Sequence, residues 1–294
     1  MSEQNGQEQV LEKPESQLKE IWYSLCRNKG ALIALGIIVF LIFVAVFRDF
    51  LMPYDPNYSD MGKAFQRPNS EHWFGTDQLG RDIFSRIIYG TRISLSVGLI
   101  AVTFALTVGT VLGSIAGYFG GKVDTVIMRC MDMMLAVPSI LLAITFMAAL
   151  GKGIDKAIIA IGLVSIPEYA RIVRGSILSI KESDYVQAAK VIGNNDMTII
   201  FKHILPNVLS SLIVRATLGI STAVLDTAAL GFLGLGVQPP IAEWGDMLGR
   251  ARGFIFSAPY TLIFPGMAIS LTVLAFNMLG DGLRDALDPK SRNK

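Results

Sequence analysis

"DYVQAAKVIGNNDMTIIFKHILPN", residues 184–207, carries charges, a glycine break and a closing proline in the middle of a very apolar chain. It is too polar to span a bilayer, yet its apolar residues repeat at helical spacing. Tyr185, Ala188, Ala189 and Ile192 fall at i, i+3, i+4 and i+7, which is one helix face. Met197, Ile200, Phe201 and Ile204 repeat the pattern. The "GNN" between them reads as a turn, with Gly193 ending the first helix and Asp196 capping the second. Pro206 is expected to stop the second helix. The reading is a pair of short amphipathic helices with a fixed corner. Amphipathicity alone would serve a helix pair lying on lipid headgroups. Adjacent alanines, a glycine four residues later and a sharp corner suit instead a knob that enters a protein groove, where close approach matters.

The flanking sequence places this knob between membrane spans. The chain has 294 residues, is 52% hydrophobic and only 17% charged, against about 25% charged in a typical soluble domain. Residues 30–47 are 18 uncharged residues, enough for one crossing. Residues 48–92, with "MPYDPN" and "HWFGTDQLGRD", read as a polar loop rich in Pro, Gly, Asp and Asn, with a short interfacial helix through "DIFSRIIYG". Residues 93–119 carry no charge, and Gly109, Gly113 and Gly117 recur every four residues, a face that lets another helix approach closely. Further spans are expected over 127–150, with Pro138 inside it, and over 155–173, 208–232 and 258–280. The count is six, in an all-α integral membrane chain. The expected division is a segment 1–29, the first span 30–47, the loop 48–92, a five-helix core 93–281 holding the 184–206 knob, and a tail 282–294.

Orientation follows the Lys/Arg bias. With both termini inside, the inner segments hold 15 Lys/Arg and the outer segments 10, and Arg215 within the fifth span completes the 26. The sign favours cytoplasmic termini and an extracytoplasmic 48–92 loop. Residues 1–20 are polar and acidic, and no small-residue cleavage pattern follows the first apolar run, so a cleavable signal peptide is not expected.

Several function classes find no support. A net charge of +2 with no basic tract gives no nucleic-acid footprint. His72 and His203, and Cys26 and Cys130, lack metal-ligand spacing. "GFLGLG" lacks the lysine of a phosphate loop and reads as close helix packing, so this chain is not expected to bind ATP or any other cofactor. No nucleophile constellation is present, so the chain does not read as an enzyme. Ion-coupled transport would call for internal repeats and broken helices with ion ligands, and no internal repeat is visible. The charges inside the spans remain. Asp226 ends an apolar run interrupted only by Arg215, and a lone carboxylate there is costly unless it meets a cavity or a partner. It is a candidate for the wall of a substrate path, or for a structural pair. Glu168 and Arg171 are weaker candidates for the same path, and Asp132 and Arg129 read as a local pair.

"QAA", then Gly193, then "HILPN" is similar to the Glu-Ala-Ala loop of ABC importer permeases. Ala188, Ala189, Gly193, Leu205 and Pro206 match in register, while Gln187 stands where Glu is usual and His203 where Ile is usual. "FGTDQLGRDIFSRIIYGTRISLSVG" (74–98), "GYFGG" (117–121), "AALGFLGLGVQPP" (228–240) and "LTVLAFNMLGDGLRDALDP" (271–289) resemble the second permease subunit of dipeptide, oligopeptide and nickel importers, with dipeptide permeases nearest in look. The resemblance implies a type I ABC importer permease fold in a bacterial or archaeal cytoplasmic membrane. It implies that Tyr185, Gln187, Ala188, Ala189, Gly193, His203, Leu205 and Pro206 belong to a loop that docks on the ATPase. It further implies two ATPase subunits that use ATP and Mg, a related second permease subunit and an extracytoplasmic binding protein. Residues 236–254, with Pro239, Pro240 and Trp244, would form a scoop-like helix near the gate, or an ordinary interfacial anchor.

Overall fold

In the computed structural model, which describes residues 17–287, helices account for the whole membrane-spanning part of the chain. The expected segments 1–29 and 282–294 therefore lie partly outside the described residues, over 1–16 and 288–294. The order is α1 (Gln17–Arg27), α2 (Lys29–Val46), α3 (Arg48–Leu51), α4 (Ile83–Phe119), α5 (Gly121–Leu135), α6 (Ser139–Leu150), α7 (Ile154–Ile180), α8 (Asp184–Val191), α9 (Asp196–Thr198), α10 (Leu205–Phe232), α11 (Trp244–Ala251) and α12 (Tyr260–Leu287). Among the described residues, four helices are long and apolar enough to cross a membrane, and α5 with α6 makes a fifth if that bent pair is one crossing. α7 is 27 residues long but carries Glu168, Arg171 and Arg174 along its second half.

The centre of the bundle is the seam between α4 and α7. A β-carbon on Gly109 would lie 2.9 Å from the Ile166 carbonyl oxygen, and one on Gly113 would lie 2.9 Å from Val173 Cβ. One on Gly117 would lie 3.0 Å from Ile177 Cβ. All three glycines are buried. The small-residue face is thus spent on backbone-to-backbone approach, where dispersion and packing hold membrane helices together.

The structure corrects the sequence reading at five points. "DIFSRIIYG" is no separate interfacial helix but the first turns of α4, which runs unbroken for 37 residues from its Asp82 N-cap. The 127–150 segment is two helices bent by 96°. Pro138 has no N–H to donate and bars Val137 from helical geometry, so α5 ends at Leu135 and α6 restarts at Ser139. Asn195, not Asp196, caps the second helix of the knob, its side chain accepting from Thr198 N–H at 2.8 Å.

Pro206 does not stop that helix. Asp196 to Phe232 is one continuous rod. Ile199–Ile204 is a π-helical stretch in which the Leu205 N–H reaches back five residues to the Ile200 carbonyl. That wider turn lets the helix pass the missing proline donor without breaking. Finally, Asp132 pairs with Arg171 on α7 at 2.6 Å, not with Arg129.

Within the expected 48–92 loop, residues 48–82 form an ordered cap over the start of α4. Asp77 accepts the backbone N–H groups of Leu79 and Arg81 and the Arg81 Nε–H at 2.7 Å. The buried Arg86 donates from Nη1 to the Pro56 carbonyl at 2.7 Å. Asp82 accepts from Ser85 N–H through one oxygen and meets His72 Nδ1 through the other at 2.9 Å. These pairs anchor the cap to the first turn of α4.

Candidate functional site

The 184–204 stretch forms a two-sided knob. α8 ends where Gly193 turns at φ +89°, a left-handed conformation that glycine adopts without the Cβ penalty. Val186, Ala189, Ile199, Ile200 and Ile204 turn inward and are buried. Val191 is 88% exposed, Ile192 80%, and Met197 and Phe201 64% each, on the opposite side. Tyr185 is half exposed and accepts from Asn207 Nδ2 at 3.2 Å, and Ala188 and Pro206 are also exposed. Gln187 donates to the Lys181 carbonyl at 3.0 Å, closing the corner into α8. His203 and Leu205 are half buried, and the His203 carbonyl accepts from Asn207 Nδ2 at 2.8 Å.

Ala189 therefore packs within the knob itself, while Ala188 beside it faces out. The two faces drawn from periodicity are each split in the fold, with Ala189 turned in from Tyr185, Ala188 and Ile192, and Ile200 and Ile204 turned in from Met197 and Phe201. Val191 and Ile192 were not singled out as site residues, and only their exposure in the fold marks them. The knob is tied to the bundle through Tyr118 on the last turn of α4. Its hydroxyl donates to Asp196 Oδ1 at 2.5 Å, and the Lys190 ammonium lies 5.6 Å from its ring centroid.

Above the knob, charge pairs join the helices. Arg174 of α7 holds Asp124 of α5 through two hydrogen bonds, at 2.5 and 2.6 Å. Arg171 meets Asp132, and both side chains are about half exposed. Glu168, near the middle of α7, pairs with Arg215 of α10. On α10, Arg215, Gly219, Thr222 and Asp226 are spaced 4, 3 and 4 residues apart and share one face. Asp226 is half buried, and no ion pair or hydrogen bond with another described residue reaches it. Tyr169 of α7 is buried, its hydroxyl has no partner among the described residues, and it sits over Gly219, where a β-carbon would collide with it. Ionisable groups in membrane helices face the protein interior or water, not lipid. Glu168 and Arg171 stand three residues apart on α7, and Glu168 reaches across to the Arg215 face of α10 that also bears Asp226.

Residues 109–293 match the family of binding-protein-dependent transport system inner membrane components, and residues 16–68 match the N-terminal transmembrane domain of oligopeptide transport permease C. The chain belongs to the binding-protein-dependent transport permeases. It is 52% identical to the dipeptide transport system permease protein DppC of Alkalihalophilus pseudofirmus, over 94% of this chain and 90% of that protein. It is 48% identical to the glutathione transport system permease protein GsiD of Pectobacterium atrosepticum, over 94% of this chain and 92% of that one. The MetNI methionine ABC transporter, solved in inward-facing conformations, matches at a TM-score of 0.59 and 20% identity, over 70% of this chain and 98% of that one. That likeness shows a shared fold. The permease is a transport subunit and not an enzyme, and among its described residues no group of three or more His, Cys, Asp or Glu side chains could hold a metal ion.

The 236–254 stretch of this permease holds one more helix, α11, over Trp244–Ala251. α11 is wedged against α4 and α10. Gly245 packs on Ala228 and Gly249 on Phe232, each so closely that a β-carbon would clash. Trp244 is buried and donates from Nε1 to the Ile87 carbonyl of α4 at 3.1 Å. Buried Glu243 caps α11 by accepting the N–H groups of Gly245 and Asp246, each at 2.9 Å, and it also accepts from Ser94 Oγ at 3.3 Å. Burial pushes its carboxyl up to about 7, against the lowering pull of those hydrogen bonds. The scoop expected over 236–254 is thus a helix plugged between two spans. Trp244 works as a packing anchor there, and a glutamate that sequence pattern gave no reason to single out caps the helix.

Proposed function

We propose that this permease forms one half of the path by which an ATP-driven importer moves dipeptides and short oligopeptides across the cytoplasmic membrane. The exposed apolar side of the 184–204 knob, projecting from a bundle with intramembrane charge pairs, carries the coupling part of the reading. A dipeptide permease and a glutathione permease among the relatives support the substrate class, since both names denote short peptides. The chain crosses the membrane six times, with α5–α6 as one broken crossing and α7 as another. Both termini are cytoplasmic and the 48–82 cap faces out.

Two ATPase subunits bind ATP and Mg and receive the knob through Tyr185, Ala188, Val191, Ile192, Met197 and Phe201. A related permease subunit completes the path, and an extracytoplasmic binding protein delivers the peptide. Glu168, Arg171 and Asp226 line the path. Glu168 and Arg171 hold its helices together through Arg215 and Asp132. Asp226, with no partner among the described residues, offers its carboxylate to the peptide ammonium group.

Two experiments test this reading. A cysteine at Asn57 is expected to react with an impermeant thiol reagent in intact cells, and labelling only after membrane rupture would reverse the topology. Asp226→Asn keeps shape and removes charge. It is expected to slow uptake of zwitterionic and cationic peptides by about tenfold, the loss of one charge-assisted contact of about 1.4 kcal/mol, with normal amounts of assembled permease. Uptake and assembly both unchanged would remove Asp226 from the path.

A further inference from the structure

The first span leaves a groove beside the bundle. α2 packs chiefly along α12 and meets α4 much less. Between α2 and α4 a cleft of about 400 Å³ opens, walled by Ile42, Ala45 and Val46 on one side and Leu95, Ser96 and Leu99 on the other. Arg92 completes the lining. On α4, Arg92, Leu95, Ser96 and Leu99 stand at i, i+3, i+4 and i+7, so a single helix face presents one guanidinium and then an apolar strip. Arg92 sits at the end of that strip nearest the 48–82 cap, where the uncharged part of α4 begins. Arg86, Arg171, Arg174 and Arg215 each meet a carboxylate. Arg92 is exposed and makes no ion pair or hydrogen bond with another described residue.

We infer that this groove is a binding site for an anionic phospholipid. The acyl chain lies against Ile42, Ala45, Val46, Leu95 and Leu99, and the phosphate is held by Arg92 in the leaflet on the cap side. Three features of the groove support that occupant. Its walls are almost wholly apolar and lie between two spans, where water-soluble ligands do not reach. Its one charge is a cation at the end nearest the headgroups, where a long basic side chain extends toward the membrane surface. A guanidinium pairs with phosphate oxygens through two parallel N–H donors, which matches a phosphodiester. The inference needs only that α2 and α4 cross the bilayer, and is independent of which solute the permease carries.

The test uses the full-length protein in the assembly in which it purifies. The sample is stripped of lipid and titrated with phosphatidylglycerol or with phosphatidylcholine of the same acyl chains, and bound lipid is counted by native mass spectrometry. Phosphatidylglycerol is expected to be retained in preference to phosphatidylcholine. Arg92→Gln should lower phosphatidylglycerol retention by about fivefold, the loss of one basic residue at an anionic headgroup, and lower that of phosphatidylcholine, whose phosphate is already balanced by its choline ammonium, by less. Arg92→Lys should keep most of the preference. Ala45→Phe, which fills the groove and spares the charge, should lower retention of both lipids. No preference in the unaltered protein, or a preference that survives Arg92→Gln, would overturn the assignment. So would retention indifferent to both Arg92→Gln and Ala45→Phe, the result expected if a helix of another subunit covers the groove.

Discussion

Replacing Ile192 with aspartate is expected to reduce transport by at least thirtyfold while the permease stays folded in the membrane. Ile192 is 80% exposed at the tip of the knob, next to Val191 at 88%. Side chains so far from the inward-facing set contribute little to the knob's own packing. An apolar residue held at that exposure has its use in an interface, and a central interface residue is worth about 2 kcal/mol or more, which is roughly thirtyfold in binding. Aspartate adds the cost of burying an unpaired charge at the contact. The expected picture is normal permease in membranes, no co-purified ATPase and no uptake. Ala189→Asp gives the contrast. Ala189 is 4% exposed among Val186, Ile199 and Ile204, so aspartate there should unravel the knob and render it sensitive to protease added on its own side of the membrane. Normal uptake by a well-expressed Ile192→Asp permease would show that the exposed side of the knob is not where the ATPase docks.

The second large effect is expected at the α4–α7 seam. Gly113→Leu places a side chain where a β-carbon alone would already press to 2.9 Å from Val173 Cβ and against the Ala170 carbonyl. Overpacking a fitted core costs about 1–3 kcal/mol, and here both helix backbones must separate, so the upper end applies. The variant is expected to accumulate poorly and to lose its folded state at a lower temperature in detergent. Gly36→Leu is the control. Gly36 lies on α2 with nothing within 4 Å of a β-carbon, and this change should leave folding as it was. Equal stability of the two variants would mean that the glycine face of α4 does not set the packing of the bundle.

Local signals in the chain carried much of this architecture. The glycines at 109, 113 and 117 announced a tight helix contact because only a missing side chain permits one, and α7 occupies that face. Gly193 announced a corner because its left-handed φ is costly for other residues. The failures lie where the outcome depends on partners distant in sequence. Pro138 and Pro206 are both prolines in apolar helical stretches, yet one breaks its helix and the other is absorbed by a π turn. Which happens depends on whether the surrounding helices favour a bend or a straight rod. The start of α4 reads in sequence as a separate short interfacial helix, yet it is continuous with the span that follows, and Arg86 within it is buried against the cap. The ion pairs Arg171–Asp132 and Arg174–Asp124 join residues 39 and 50 apart, beyond any helical periodicity, so the sequence pattern offers Asp132 only its near neighbour Arg129. Glu243 gave no signal, because a single acidic residue in a proline-rich link reads as solvent-exposed until α11 is seen wedged over it.

The central claim, that this permease is driven through its knob by an ATPase to move short peptides, is tested most directly by reconstitution. The permease, its related permease subunit, their ATPase subunits and the binding protein are placed in proteoliposomes with ATP enclosed on the knob side and a radiolabelled dipeptide outside. Dipeptide is expected to accumulate inside only when ATP is hydrolysed, at a rate that ionophores do not change, and Ile192→Asp is expected to abolish accumulation. Uptake that proceeds without ATP and collapses with the ionophore, or hydrolysis that proceeds with no peptide moved, would contradict the claim.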